Sequence, residues 1–192
     1  MRTKFFTGAG DSGSSKVGKT ELPKDDPIFW ALGGLDTLNS WIGLCRVEAV
    51  KMNSRTIRGA LDVPVILKEV QEVLFIAQAE VAAIGFGQKD NQKKVTEEKI
   101  LSMERVMERI DAVVPPITKF IIPGGSELSA RLDVARTVAR RVEREVLWLK
   151  RTHEIDQPLL KFLNRLSSLL FALARYVNHM LEIRETHPTY KT

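Results

Sequence analysis

Through five stretches of this chain apolar residues recur every three or four positions, and nearly every stretch opens on a side chain suited to cap a helix. That spacing is the period of the α-helix and leaves little room for sheet. Asp26 stands before Pro27, so a first helix is expected from about Pro27 to Met52, with Trp30, Leu32, Leu35, Leu38, Ile42 and Cys45 or Arg46 along it. Asp62 opens a second, whose stripe runs through Val65, Leu67, Val70, Val73, Leu74, Ala77 and Val81 to Gly85 and Gly87. Thr96 opens a third, with Ile100, Met103, Val106, Met107 and Ile110 inward, and Pro115-Pro116 stops it. Ser126 caps a fourth reaching about Arg151, and Asp156 a fifth with Leu159, Phe162, Leu163, Leu166, Leu169, Leu170 and Leu173 inside. The expected fold is therefore all-α, a five-helix bundle. One domain is expected over residues 1–192: an extended Gly/Ser-rich segment at 1–26, the bundle at 27–185 and a polar tail at 186–192.

With 44% hydrophobic and 28% charged residues, a wholly disordered chain is excluded. No apolar run approaches the roughly 20 residues of a membrane span, and the basic start lacks the apolar core of a secretory signal. One cysteine, Cys45, allows no internal disulfide or Cys-rich metal site and suits a reducing, cytoplasmic setting. Three scattered histidines argue against a His-based metal centre, and no metal ligand is assigned to a side chain. The net charge is +5, and between Arg131 and Arg151 seven basic residues face three acidic ones, so most of the excess sits on one helix. A compact positive patch suits a phosphate-bearing small molecule better than the broad footprint of nucleic acid.

Gly13-Ser14-Ser15-Lys16-Val17-Gly18-Lys19-Thr20 matches the phosphate-loop pattern G-x-x-x-x-G-K-[ST]. A true P-loop needs a buried strand before it and a helix after it. Here only Lys4-Phe5-Phe6 precedes and Pro23 follows, so that fold is not expected, and a plain tail or another anion-gripping loop remains open. On the fourth helix Arg136, Arg140, Glu143 and Arg144 lie within about 100° of one another, a guanidinium stripe beside the packed face. Arg forks grip phosphate, whereas the bland alternative is a solvated face with an Arg140–Glu143 pair. Arg141 points elsewhere. Asp36, in the apolar part of the first helix, calls for a cationic partner. Asn164 and Phe120 taken alone read as structural, and Cys45 as a small buried hydrophobe.

Six motifs in order change that balance. They are Phe6-Thr7-x-x-Gly10-Asp11-x-Gly13; Lys24-Asp25-Asp26; Gly34-Leu35-Asp36-Thr37-Leu38-Asn39-Ser40; Phe120-Ile121-Ile122-Pro123-Gly124-Gly125-Ser126; Ala135 through Arg144; and Leu163-Asn164-Arg165-Leu166-Ser167. Together, over about residues 5–178, they resemble the PduO-type ATP:cob(I)alamin adenosyltransferases, the corrinoid adenosyltransferases.

The resemblance implies a ferritin-like five-helix bundle preceded by an N-terminal ATP loop, assembled as a homotrimer with a site at each subunit interface. It implies transfer of the 5′-deoxyadenosyl group of ATP to the Co(I) of a corrinoid, releasing triphosphate and forming adenosylcobalamin, with Mg2+ assisting. By analogy Thr7, Gly8, Ala9, Gly10, Ser14, Ser15 and Lys24 would wrap ATP, and Arg140, Arg141, Glu143, Arg144 and Asn164 would complete that site. Arg140 and Phe120 would be the catalytic residues. Asp36 would pair with Arg136 across the interface, and Phe120 would sit under the corrin and displace its lower axial ligand. A Co(II) reductase and an adenosylcobalamin-dependent enzyme are the implied partners; nucleic acid and membrane are not. The family loop usually reads Thr-Arg/Lys-Thr-Gly-Asp-Lys-Gly, whereas here it is Thr7-Gly8-Ala9-Gly10-Asp11-Ser12-Gly13, and Thr37 replaces the usual Glu. Those departures keep open a non-catalytic module that binds ATP or corrinoid. A basic helical protein for nucleic acid would explain neither Phe120 nor Asn164.

Overall fold

The computed structural model of the chain describes residues 5–6, 8–17, 20–53, 61–88 and 92–190. Five helices follow a short hairpin: β1 (Ser14–Val17), β2 (Thr20–Pro23), α1 (Pro27–Asn53), α2 (Val63–Gly85), α3 (Glu97–Asp111), α4 (Glu127–Leu149) and α5 (Gln157–Met180). The five expected helices are all present, with ends shifted by a few residues. The hairpin is a correction. Ser14 lies opposite Pro23 and Val17 opposite Thr20 in an antiparallel pair. The Gly13–Thr20 stretch is therefore mostly strand and does not feed a helix as a P-loop would. Gly18 and Lys19 of that pattern, and the candidate Thr7, lie outside the described residues.

α1 buries Ile28, Ala31, Leu35, Leu38, Ile42, Cys45 and Ala49, an alternating three-and-four spacing that makes one straight seam. Trp30, named with them for its helical spacing, is exposed because it lies outside that seam; its Nε1 donates to the Asp25 carbonyl at 3.2 Å. Val65 on α2 is likewise exposed. Every expected core position of α5 is fully buried, from Leu159 to Leu173. Each such side chain contributes roughly 1.5–3 kcal/mol by leaving water. α4 is the central helix, packed on α1 and α5, so its two flanks reach both neighbours.

The caps work as the sequence suggests at Asp26, Asp62 and Ser126, whose side chains accept from Ile28, Val65 and Ser129 backbone N–H groups. Asp156 departs from expectation: its carboxylate leaves the helix end and accepts from Lys94 Nζ at 2.6 Å. α3 ends at Asp111, before the proline pair, since Val114 precedes Pro115 and is biased away from helix. Beyond α5 the chain turns at Glu182 (φ +57°), and the Ile122 N–H donates to the Thr186 carbonyl at 2.9 Å. The tail thus runs back along the segment that joins α3 to α4.

Candidate active site

A cavity of about 710 Å³ lies where the α3–α4 connection faces α4 and α5. Phe120, Arg136, Arg140, Ser167 and Phe171 line it. Phe120 is 79% exposed, an aromatic ring that no intrachain packing claims. Arg140 has no hydrogen-bond or ion-pair partner among the described residues, so its fork is free for an anion. Arg136 is held differently. Its Nε donates to Asp133 Oδ1 at 2.9 Å, and its guanidinium carbon lies 5.8 Å from the centroid of the Phe171 ring. Asp36 sits exposed on α1, and within one chain Asp133 takes the carboxylate's place beside Arg136.

Asn164 and Glu143 meet across the α4–α5 seam: Asn164 Nδ2 donates to Glu143 Oε1 at 2.9 Å. Arg165 then donates through Nη1 to Asn164 Oδ1 at 3.0 Å and through Nε to Glu104 Oε1 at 2.8 Å. Glu143 is therefore bonded to Asn164, in place of the Arg140–Glu143 pair that the solvated-face reading supposes. Arg141 and Arg144 line a separate cavity of about 540 Å³ with Glu145 and Trp148. Arg141 Nε lies 3.5 Å from Glu145 Oε1, whose carboxyl is pushed above the usual range by burial, against the pull of Arg141 and Arg144.

The N-terminal candidates form their own cluster. Lys24 Nζ donates to the Gly10 carbonyl at 2.7 Å, and the Lys24 N–H to the Gly13 carbonyl at 2.9 Å. The lysine end packs close on Gly10, where a Cβ would lie 2.7 Å from Lys24 Nζ and push it aside. Ser14 Oγ donates to Glu21, while Gly8, at φ +71°, turns the loop so that its carbonyl accepts from Asp11 N–H. Ala9 lies in the same turn and Ser15 is half-buried in β1. No described hydrogen bond joins Gly10, Ser14 or Lys24 to Arg140, Glu143 or Asn164. The structure thus gathers the candidates into two clusters, one on the loop and one on α4 and α5.

Residues 5–177 match the model of the family described as cobalamin adenosyltransferase. The chain belongs to that family. The corrinoid adenosyltransferase of Bacillus subtilis (strain 168) is 35% identical over 175 residues, 91% of this chain and 86% of that protein. Corrinoid adenosyltransferase PduO of Salmonella typhimurium is 35% identical over 172 residues, 89% of this chain and 48% of the relative, so the chain spans about half that protein's length. A variant PduO-type ATP:corrinoid adenosyltransferase from Lactobacillus reuteri, complexed with cobalamin and ATP, superimposes with a TM-score of 0.86 at 33% identity, covering 98% of both chains. Against this cobalamin adenosyltransferase background, sequence reading missed Asp133 and Phe171. Phe171 had one available signal: it follows Asn164 by two helical turns and shares its face. No helix among the described residues is long and apolar enough to cross a membrane.

Proposed function

We propose that the chain transfers the 5′-deoxyadenosyl group of ATP to the Co(I) centre of a corrinoid, forming adenosylcobalamin and triphosphate. The observation that carries this reading is the cavity lined by both the exposed Phe120 ring and Arg140, whose fork has no partner among the described residues. An apolar ring suits the face of a corrin, and a free guanidinium suits phosphate oxygens. In the reaction the cobalt electron pair forms a bond to C5′, and the C5′–O bond breaks with its electrons leaving on triphosphate. No proton moves, so no base is required. Charge grows on the leaving phosphate, and Arg140 acts most strongly where that growth is greatest, in the transition state.

Phe120, held under the corrin, excludes water and the lower axial ligand, which makes Co(II) easier to reduce. Among the described residues no group of three or more His, Cys, Asp or Glu offers a cation cage. Magnesium, brought in on the phosphates of ATP, would share their charge. The proposed assembly is the homotrimer that the family resemblance implies, in which the loop around Gly10 and Lys24 of one subunit closes on the next subunit's Arg140, Glu143 and Asn164. Asp36, exposed on α1, is then placed to meet Arg136 of the neighbour. Co(I) requires a reducing compartment, which fits the cytoplasm, with a Co(II) reductase upstream and an adenosylcobalamin-dependent enzyme downstream.

The test is anaerobic incubation of chemically reduced cobalamin with Mg-ATP, following loss of the Co(I) absorbance and appearance of adenosylcobalamin. Product supports the transfer. Binding of both substrates without product supports the non-catalytic module instead, and directs attention to the atypical loop at Gly8–Gly13.

A further inference from the structure

Phe120 poses a positional problem. Its side chain is 79% exposed, so packing within the chain does not fix it. It also lies in a connection without regular structure between α3 and α4. Yet the backbone around it is tied at both ends and in the middle. Arg175, only 8% exposed on α5, donates from Nε to Glu185 Oε1 at 2.6 Å and from Nη2 to Glu185 Oε2 at 3.1 Å. The same Nη2 donates to the Pro115 carbonyl at 2.8 Å, anchoring the start of the connection. At its far end Asn178 donates to the Gly124 carbonyl at 2.8 Å and accepts from the Ser126 N–H at 3.1 Å. Gly125, at φ +113°, admits that contact, since a Cβ would lie 2.6 Å from the Asn178 amide.

In the middle the tail closes the arrangement. The Phe120 carbonyl can only accept, so His187 Nδ1 carries the proton and donates to it at 2.8 Å. Ile122 N–H bonds the Thr186 carbonyl on the same strand of tail. A buried guanidinium is costly to desolvate, and apolar residues would close a bundle end as well. A bidentate fork that also takes a backbone carbonyl does something packing cannot: it sets the direction of a loop.

We propose that Arg175, Glu185, Asn178 and His187 form a clamp that holds the Phe120 backbone so that the exposed ring stands at a fixed height against the corrin. Arg175 and Glu185 are then positioning residues for the axial-ligand step, remote from the phosphates. This inference rests on the proposed adenosyl transfer. Small misplacements of a positioned group cost large factors in rate, so the clamp is felt in the chemistry as well as in the fold.

The experiment compares Glu185→Gln, Arg175→Lys and His187→Ala with the unaltered protein and with Phe120→Ala. Two initial rates are measured, one starting from cob(II)alamin with a reductant and one from preformed cob(I)alamin. Electron paramagnetic resonance of bound cob(II)alamin with ATP reports whether an axial ligand is present. The clamp predicts that the Co(II)-started rate falls at least fivefold further than the Co(I)-started rate in Glu185→Gln and Arg175→Lys. It also predicts that the axially ligated signal grows, as in Phe120→Ala. Equal losses in the two assays, or an unchanged resonance spectrum, overturn it. If either buried-pair variant unfolds, His187→Ala decides, because it removes a single bond at an exposed position. Absence of product from the unaltered protein sinks the transfer reading itself. An active protein whose Phe120→Ala variant shows the split while none of the clamp variants does sinks the clamp alone.

Discussion

Asn164 on α5 donates to Glu143 on α4 at 2.9 Å, and this bond bridges two helices at the rim of the guanidinium face. It fixes the carboxylate against an amide whose oxygen already accepts from Arg165 Nη1 at 3.0 Å. If the pair recognises ATP as a unit, breaking either half releases the other. Asn164→Ala and Glu143→Ala are each expected to raise the KM for ATP about tenfold, equivalent to roughly 1.4 kcal/mol, and the double variant no more than either single. Additive losses in a double-mutant cycle would show two independent contacts.

Arg140 has no hydrogen-bond or ion-pair partner among the described residues, so removing it orphans no carboxylate among them. Arg140→Ala is expected to fold normally and to lose roughly 2–4 kcal/mol of transition-state stabilisation, about 30- to 800-fold in kcat/KM. Arg140→Lys keeps the charge without the fork and should fall between. Wild-type kinetics in the alanine variant would remove Arg140 from the reaction.

Glu80 is buried and accepts from the Val95 N–H at 2.8 Å through Oε2, while Oε1 finds no partner among the described residues. Burial, first, and then the Asp156 charge raise its carboxyl above the usual range, against the pull of the Val95 bond and Lys94. A raised carboxyl pKa means the folded state holds the proton more tightly than the unfolded chain. Its contribution is therefore most favourable below the unfolded value of 4.5 and is lost as pH climbs through the folded value. Glu80→Gln should remove that loss. Urea midpoints from pH 4 to 8 test it: the variant should gain on the unaltered protein as pH rises, and parallel curves would refute the assignment.

Gly85 closes α2 directly against Ile28 at the start of α1, and a Cβ there would overlap the buried Ile28 side chain. Gly85→Ala is expected to destabilise by about 1–3 kcal/mol, the usual cost of overpacking, in spite of alanine's better helix propensity. Thermal or urea unfolding measures it; a stabilised variant would mean that Ile28 moves aside freely.

Cys45 is fully buried in α1, and burial pushes its thiol up to about 12. The native protein should resist thiol reagents at pH 8, with labelling no faster than global unfolding permits. Rapid stoichiometric labelling without loss of helicity would contradict the packing of that seam.

Much of the bundle was legible because helix formation is read locally. The three-and-four spacing of Leu159 through Leu173 and the caps at Asp62 and Ser126 are properties of neighbouring residues, and they reappear unaltered. The motif blocks that carry Phe120, Arg140 and Asn164 are likewise short stretches readable along the chain. Illegible were the choices made between distant segments. Trp30 belongs to the same apolar stretch as Leu35, yet only the position of α2 and α4 decides which side of α1 is inside. The Gly13–Thr20 pattern is satisfied by its letters, but the Ser14–Pro23 pairing turns it into a hairpin.

Arg136 finds Asp133 one turn away, whereas its approach to Phe171 depends on how α4 and α5 cross. The clamp on Phe120 draws Pro115, Arg175 and Glu185 from three separate places in the chain. By itself, then, the sequence determined five amphipathic helices, the caps at Asp26, Asp62 and Ser126, and the residue types of the proposed phosphate-and-corrin site, because period and capping act within a few residues. The tertiary structure alone decided which faces are buried and which arginines are spent on pairing or left free. Those outcomes depend on distances across the bundle, which no local pattern carries.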